Sequence, residues 1–274
     1  MKKEITEEEQ HRLDLERLEK MRPMDDDFMR EMFRNNIPLI QFVLRTITGK
    51  ESLNIISNET QYDLEHLLGA KSICLDALAT DSNNQKYNIE VQRADKGASP
   101  KRARYHSSAI DVEFLKKNEN FEKLPVTYVI FITENDVRKQ NKPIYKFERR
   151  DVETNEAFGD DEYIIFVNGA YRNPSDNSDL AKLIHDFNCN KPEDMQLKLM
   201  AESTQYYKEK PKGVRHMCKI MEDMRKEVAK NAKIEIAINL LKDEEYPIDK
   251  IAKITGLSVK DVKRLDEQLR SVIV

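Results

Sequence analysis

The sequence predicts an α/β protein in which helices pack on a sheet and a helical tail follows. Three observations predict it. Apolar residues recur every third or fourth position over the first fifty residues, give way from about residue 52 to short β-branched and aromatic runs interrupted by one helix, and return to helical patterning beyond 178. The 274 residues are 39% hydrophobic, enough for a large core although 35% are charged, which excludes global disorder and a single minimal module. No run nears the roughly 20 consecutive apolar residues of a membrane span.

Residues 5–22 read as a charged helix, with Thr6 and Glu9 at capping-box spacing and Leu15, Leu18 and Met21 recurring every third position. This predicts an arm over 1–22. Pro23 breaks it, and Phe28, Met32 and Phe33 mark a second helix that Asn35-Asn36 interrupts. In the third, Asn36 is the N-cap, Pro38 lies near the first helical position, Ile40, Val43, Leu44 and Ile47 form the apolar stripe, and Gly49 is the stop. Strands are predicted at 53–62, 71–80 and 86–92, between polar clusters. Ser99-Pro100 opens a helix to about Lys117. Val126 to Thr133 and Tyr163 to Val167 read as buried strands, with a weaker one at 144–148. A long polar helix from about Gly213 to Lys242 precedes a final pair of short helices.

Cys74, Cys189 and Cys218 stand far apart with no CxxC pair, so neither a disulfide framework nor a cysteine zinc site is expected and a reduced compartment fits. The start, MKKEITEEEQ, is acidic where a secretory signal would be apolar, and the expected location is the cytoplasm. A net charge of -4 does not mark a nucleic-acid binder, yet residues 92–104 carry Arg93, Lys96, Lys101, Arg102 and Arg104 against Asp95 alone. That patch is either a solvated loop and helix start or a phosphate site.

The chemistry gathers in 71–93. Asp81-Ser82-Asn83-Asn84 is turn chemistry, so its flanks form an antiparallel hairpin centred near Asn83. Asp76 and Glu90 are then opposite one another, with Cβ atoms roughly 4.5 to 5.5 Å apart on one face. In the second strand Tyr87, Ile89 and Val91 alternate with Asn88, Glu90 and Gln92; in the first, Asp76 interrupts an apolar run from Ile73 to Ala79 that suits a central strand. Asp is a poor strand residue, and a second carboxylate opposite makes its burial costlier. A hard divalent cation such as Mg²⁺, which takes one or two carboxylates, waters and a substrate phosphate, would relieve both problems. The alternative is an exposed edge strand with Asp76 in a surface ion pair.

Asp76 on one strand, with Glu90, Val91 and Gln92 on the next, resembles the core of the PD-(D/E)XK nucleases, an Asp followed by Glu-x-Lys. The run YNIEVQRADKGASPKRARYHSSAIDVEFL, with DDDFMREMF upstream and LPVTYVIFITEND downstream, resembles the PD-(D/E)XK nuclease family transposases, or recombination-promoting nucleases, where Glu-x-Gln commonly stands in that place. The resemblance covers about residues 23–190. It implies a three-layer α/β/α nuclease core with a mixed sheet; the helical patterning sets the N-terminal arm before it and a helical region over 191–274 after it. It further implies hydrolysis of DNA phosphodiesters with Mg²⁺, or Mn²⁺ as its substitute, in recombination or transposition. Asp76, Glu90 and Gln92 would be catalytic, with Asp76, Glu90 and the Val91 carbonyl as metal ligands. Arg93, Lys101, Arg102 and Arg104 would contact DNA.

Among Asp25, Asp26 and Asp27, where many relatives place a further acid, Asp27 is the choice, a charged helix cap being the alternative. Gln92 can orient a water but lacks the charge of a Lys, so catalysis is slow or borrows a cation from Arg93, Arg102 or Arg104. His106 reads more readily as a solvated or packed residue than as a base. The second reading of the whole is a DNA- or partner-binding protein on a weakened nuclease scaffold.

In the tail, Ile248, Ile251 and Ala252, a turn at Gly256, a cap at Ser258, and Val259, Val262 and Leu265 have helix-turn-helix spacing over 246–269. Lys260, Lys263 and Arg264 fall on the second helix, diluted by Asp261, Asp266 and Glu267, so DNA contact and a structural hairpin both stay open. The stretch 214–242 either pairs with a second copy as a homodimer or packs on the core; Val228, Ala232, Ile236 and Leu240 hold no strict heptad.

Overall fold

Asn36 sets the first corner of the fold. Its Oδ1 accepts the Leu39 N–H at 3.3 Å while its Nδ2 donates to the Met32 carbonyl at 3.1 Å, so one side chain ends α2 (Asp26–Phe33) and starts α3 (Ile37–Thr48). Gly49 closes α3 in the left-handed region, at φ 78°, as its position after the stripe predicts. Both helices bury their apolar stripes, Phe28, Met29, Met32 and Phe33 on one and Leu39, Ile40, Val43, Leu44 and Ile47 on the other.

The computed structural model describes residues 5–64, 73–93, 98–243 and 245–272. Asp95, Lys96 and the first two residues of the predicted strand at 71–80 lie outside them. The chain forms two units, Glu16–Val214 and Met1–Leu15 together with Arg215–Val274, and the division falls within α1 (Glu7–Lys20) and α7 (Pro211–Lys242). Of the stripe expected on α1, Leu18 and Met21 are buried and Leu15 is exposed. The buried row is Asp14, Leu18 and Met21, at i, i+4 and i+7, and Asp14 tolerates its place because Arg225 binds its carboxylate.

In the larger unit, six strands among the described residues make one mixed sheet in the order β1-β2-β3-β4-β6-β5. β1 (Ile55–Asp63), β2 (Cys74–Asp81) and β3 (Lys86–Gln92) are antiparallel; β3, β4 (Thr127–Thr133) and β6 (Glu162–Asn168) are parallel; β5 (Ile144–Phe147) is an antiparallel edge. β2 is therefore an inner strand, and the edge-strand reading of Asp76 falls. α2 packs on β1, β2 and β3, and α3 on β1, while α4 (Pro100–Phe114) covers β4 from the other face over Leu78, Val129, Phe131 and Phe166. The result is the expected three-layer α/β/α arrangement.

α4 starts as predicted, with Ser99 Oγ accepting the Arg102 N–H at 3.1 Å, but ends at Phe114 and not near Lys117. The apolar stripe has run out, and the Glu119 carboxylate takes the Lys116 N–H at 3.1 Å in a turn that competes with another helical step. At the far end of β6, Gly169 lies so close to the Thr133 carbonyl that a Cβ would stand 2.4 Å from its oxygen. Beyond it α5 (Asp179–Asn188) and α6 (Lys198–Glu209) pack against α3, and α6 also against α2.

In the smaller unit, Ala237 of α7, Ile251 and Ala252 of α8 (Ile248–Thr255) and Val262 of α9 (Val259–Val272) form a buried cluster. Gly256 turns the chain at φ 68° and Ser258 caps α9, as expected. Among the described residues no helix is long and apolar enough to cross a membrane.

Candidate active site

The hairpin turn is made by Asp81, whose Oδ1 accepts the N–H groups of Asn83 and Gln85, both at 2.9 Å, while Asn84 takes a left-handed φ of 63°. This local chemistry fixes the register: Thr80 pairs with Lys86, Ala79 with Tyr87, Leu78 with Asn88 and Ala77 with Ile89. Continued by one residue, that register sets Asp76 against Glu90, as the sequence predicts.

At that step the ladder opens. β2 keeps pairing with β1 through Leu75 and Cys74, but its pairing with β3 ends at Ala77 and Ile89. The two carboxylates take over the unpaired amides: the Asp76 N–H donates to Glu90 Oε1 at 3.2 Å, and the Val91 N–H donates to Asp76 Oδ2 at 3.2 Å. Val91 thus turns its main chain toward β2, whereas the Gln92 carbonyl is held on the other side by the Glu134 N–H. Two acids are drawn together at the carboxyl end of a parallel strand, where the sheet changes from antiparallel to parallel pairing.

Burial, then the negative charge of Glu90, then that of Asp26 push the Asp76 carboxyl up to about 7. The Val91 N–H and the Arg30 guanidinium pull it the other way. Of the three acids at the start of α2, Asp26 is the one whose charge raises Asp76. Asp27, the residue chosen from sequence, is bound by Arg30. Asp26 and Arg30 are four residues apart on the helix, and the Arg30 Nε donates to the Asp26 carbonyl at 3.3 Å.

The polar face of β3 is covered. Lys86, Asn88, Glu90 and Gln92 are all buried, with Glu90 1% exposed, because α4 lies over them. Two residues along a strand advance roughly 6.7 Å and four along a helix roughly 6 Å, so a helix can match alternate strand positions with residues one turn apart. Arg102 and His106 do so. The Arg102 Nη1 donates to Gln92 Oε1 at 2.6 Å, its Nη2 to Glu90 Oε2 at 3.3 Å and its Nε to His106 Nε2 at 3.3 Å. Because Arg102 can only donate, His106 Nε2 accepts, and the neutral ring carries its proton on Nδ1. Nδ1 faces Glu90 Oε1 at 3.6 Å and the Asn88 amide at 3.2 Å. The atom of Asn88 at this distance is Nδ2 and its Oδ1 has no partner among the described residues; with the two amide atoms exchanged, the oxygen would accept from the ring N–H.

The remaining basic candidates lie apart from Arg102. Arg93 pairs with Asp25 at 3.0 Å and borders a cleft of about 400 Å³ with Arg17, Lys20, Arg22 and the acids Asp25, Asp26 and Asp27. Lys101 and Arg104, one turn apart on another face of α4, line a separate hollow of about 280 Å³ with Phe147, Glu148 and Arg149. The structure thus brings together Asp76, Glu90, Val91, Gln92 and Arg102, adds Asp26, His106 and Asn88, and sets Lys101 and Arg104 elsewhere. The adjacent carboxylates, strained by burial and mutual charge, are an oxygen donor set that fits a hard divalent cation.

A family profile described as PD-(D/E)XK nuclease family transposase matches residues 28–250, which include every residue of this cluster except Asp26. No curated protein and no solved structure is matched by the chain.

Proposed function

We propose that this protein, which belongs to the PD-(D/E)XK nuclease family transposases, is a divalent-metal-dependent DNA endonuclease acting in recombination or transposition. The observation that carries the reading is the pair Asp76 and Glu90, each accepting a main-chain amide of the other's strand where the ladder opens. Mg²⁺ or Mn²⁺ held by Asp76, Glu90 and the Val91 carbonyl would polarise a scissile phosphate and make a bound water nucleophilic near neutral pH.

The chain's own residues supply the rest. Arg102 holds Glu90 Oε2, leaving Oε1 directed at the Asp76 amide. It also occupies Gln92 Oε1, which leaves the amide only its N–H donors to offer, polarised by the guanidinium bound to the oxygen. Gln92 and Arg102 together stand in for the Lys of the wider motif: the amide orients water or a phosphate oxygen, and the guanidinium provides the positive charge. His106, as acceptor for Arg102 Nε, positions that guanidinium. The cleft at Arg17, Lys20, Arg22 and Arg93 offers phosphate contacts beside the acids.

Cleavage of supercoiled plasmid with Mg²⁺, Mn²⁺ or EDTA tests the reading. Wild type is expected to nick or linearise the plasmid only with metal, Asp76→Ala to do neither, and Arg102→Ala to fall at least about 100-fold with DNA affinity kept. Retained DNA binding with no cutting under either metal would overturn it in favour of a binding protein on a nuclease scaffold.

A further inference from the structure

A second cluster of ligand-type side chains lies at the end of α5, on residues the proposed nuclease chemistry does not use. His185 and Asp186 occupy its last turn and Cys189 is its C-cap. The His185 Nδ1 lies 3.0 Å from Asp186 Oδ1, and the Cys189 Sγ lies 3.5 Å from His185 Nδ1 and 3.7 Å from Nε2. Ligand atoms of all three residues fall within 4.8 Å of one another.

We propose that His185, Asp186 and Cys189 form a zinc site at the carboxyl end of α5, built on the carboxylate that already accepts the amides of the turn leading into α6. Two of the three separations, His185 to Asp186 and His185 to Cys189, match it. With Zn–S near 2.3 Å and Zn–N or Zn–O near 2.0 to 2.1 Å, a tetrahedral ion sets sulfur and nitrogen ligands about 3.5 Å apart and nitrogen and oxygen ligands about 3.3 Å apart. The His185 side chain is 42% exposed and has room to turn either ring nitrogen to the ion.

Asp186 is fully buried, and its position is fixed from behind. Its Oδ1 accepts the Gln196 N–H at 2.9 Å and its Oδ2 the Leu197 N–H at 2.8 Å, at the start of α6, which has no other side-chain cap. Such outer hydrogen bonds orient a ligating carboxylate and leave it a lone pair for a metal. A thiolate with an imidazole selects zinc over magnesium. Binding takes the thiol proton of Cys189 to solvent, and water completes the fourth position.

The site lies at a corner that already ties distant segments together. Lys208 donates to the carbonyls of Glu19, Met21 and Asn190, the Met24 N–H to Phe187, and the Asn188 amide to Gly169. These contacts hold the segment that leads into α2, where Asp26 lies.

The test is a Co²⁺ titration of the full-length, EDTA-treated and reduced protein. The acids at Asp76 and Glu90 offer only oxygen donors, so a thiolate-to-cobalt charge-transfer band reports the α5 site whatever becomes of the nuclease reading. The band is expected in wild type, Cys74→Ser, Cys218→Ser and Asp76→Ala, and is displaced by stoichiometric Zn²⁺. It is lost in Cys189→Ser. His185→Ala, a change at a half-exposed side chain that leaves the core alone, weakens Co²⁺ by more than the roughly 100-fold that losing an outer partner costs, and abolishes the rise in Tm that Zn²⁺ gives wild type. No thiolate band in wild type, or a band that survives Cys189→Ser, overturns the proposal.

Discussion

Asp76 is held in a place that favours its neutral form until something positive arrives. Its carboxyl titrates near 7 in the folded chain and near 3.8 without the fold, so between those values the folded protein keeps a proton that the unfolded chain has released. Stability of the metal-free protein therefore falls as pH rises through that window. Asp76→Asn, which keeps an acceptor for the Val91 N–H, removes the effect. In EDTA it is expected to melt above wild type at about pH 8, by on the order of 2 to 4 kcal/mol, and close to it at about pH 4. Thermal melts at the two pH values check this, and a variant less stable than wild type at the higher one contradicts it. At the same scale, Gln92→Lys adds a second cation beside Arg102. It is expected to cut no faster than wild type, whereas the double change Gln92→Lys with Arg102→Ala recovers part of the activity that Arg102→Ala loses. Plasmid cleavage rates of the three variants decide whether the guanidinium replaces the motif Lys.

At the scale of elements, the site depends on how α2, α3 and β6 are fastened. Asn36 bonds both to the end of α2 and to the start of α3, so Asn36→Ala should cost about 1 to 2 kcal/mol, read from urea denaturation at unchanged m-value. Gly169 follows β6, and a Cβ there would meet the Thr133 carbonyl oxygen at 2.4 Å and the Met24 Cε at 2.7 Å. The methionine can move, but the carbonyl belongs to β4 and accepts the Gly169 N–H at 2.7 Å. Gly169→Ala is expected to destabilise by about 1 to 3 kcal/mol in the same measurement. The hairpin and the caps were legible because each is decided by side chains within a few residues of the backbone groups they satisfy. The helix stop at Phe114 was less so, since a turn at Lys116 and Glu119 competed with one more helical step.

Across the whole molecule a net charge of -4 means that the DNA binding proposed for this chain must rest on local groups, and α4 turns its basic residues in two directions. Arg102 faces the acids, while Lys101 and Arg104 look away from them. Lys101→Ala with Arg104→Ala is expected to weaken DNA binding and to lower the salt slope by about 0.9 for each phosphate no longer neutralised, with metal-dependent chemistry on bound DNA unchanged. Arg102→Ala should show the opposite pattern. Binding measured from low to moderate salt distinguishes them, and an unchanged slope for the double variant would mean that Lys101 and Arg104 neutralise no phosphate.

The sequence by itself determined the hairpin register that sets Asp76 against Glu90, the strands and helices around it, and the family motif in Glu90, Val91 and Gln92. The register, strands and helices rest on period-two alternation, turn chemistry and caps, all of them local, whereas the motif is read only through the resemblance of its surroundings to the PD-(D/E)XK nuclease family transposases. Only the tertiary structure decided that the polar row Asn88, Glu90 and Gln92 is buried, that Arg102 spends its donors on it, and that the charge of Asp26 reaches Asp76 while Asp27 is paired with Arg30. Alternation tells which residues share a face but not what covers that face. The helix that covers this one begins only at Pro100, after β3 has ended at Gln92, and its match to the strand exists only once both pack on the same sheet.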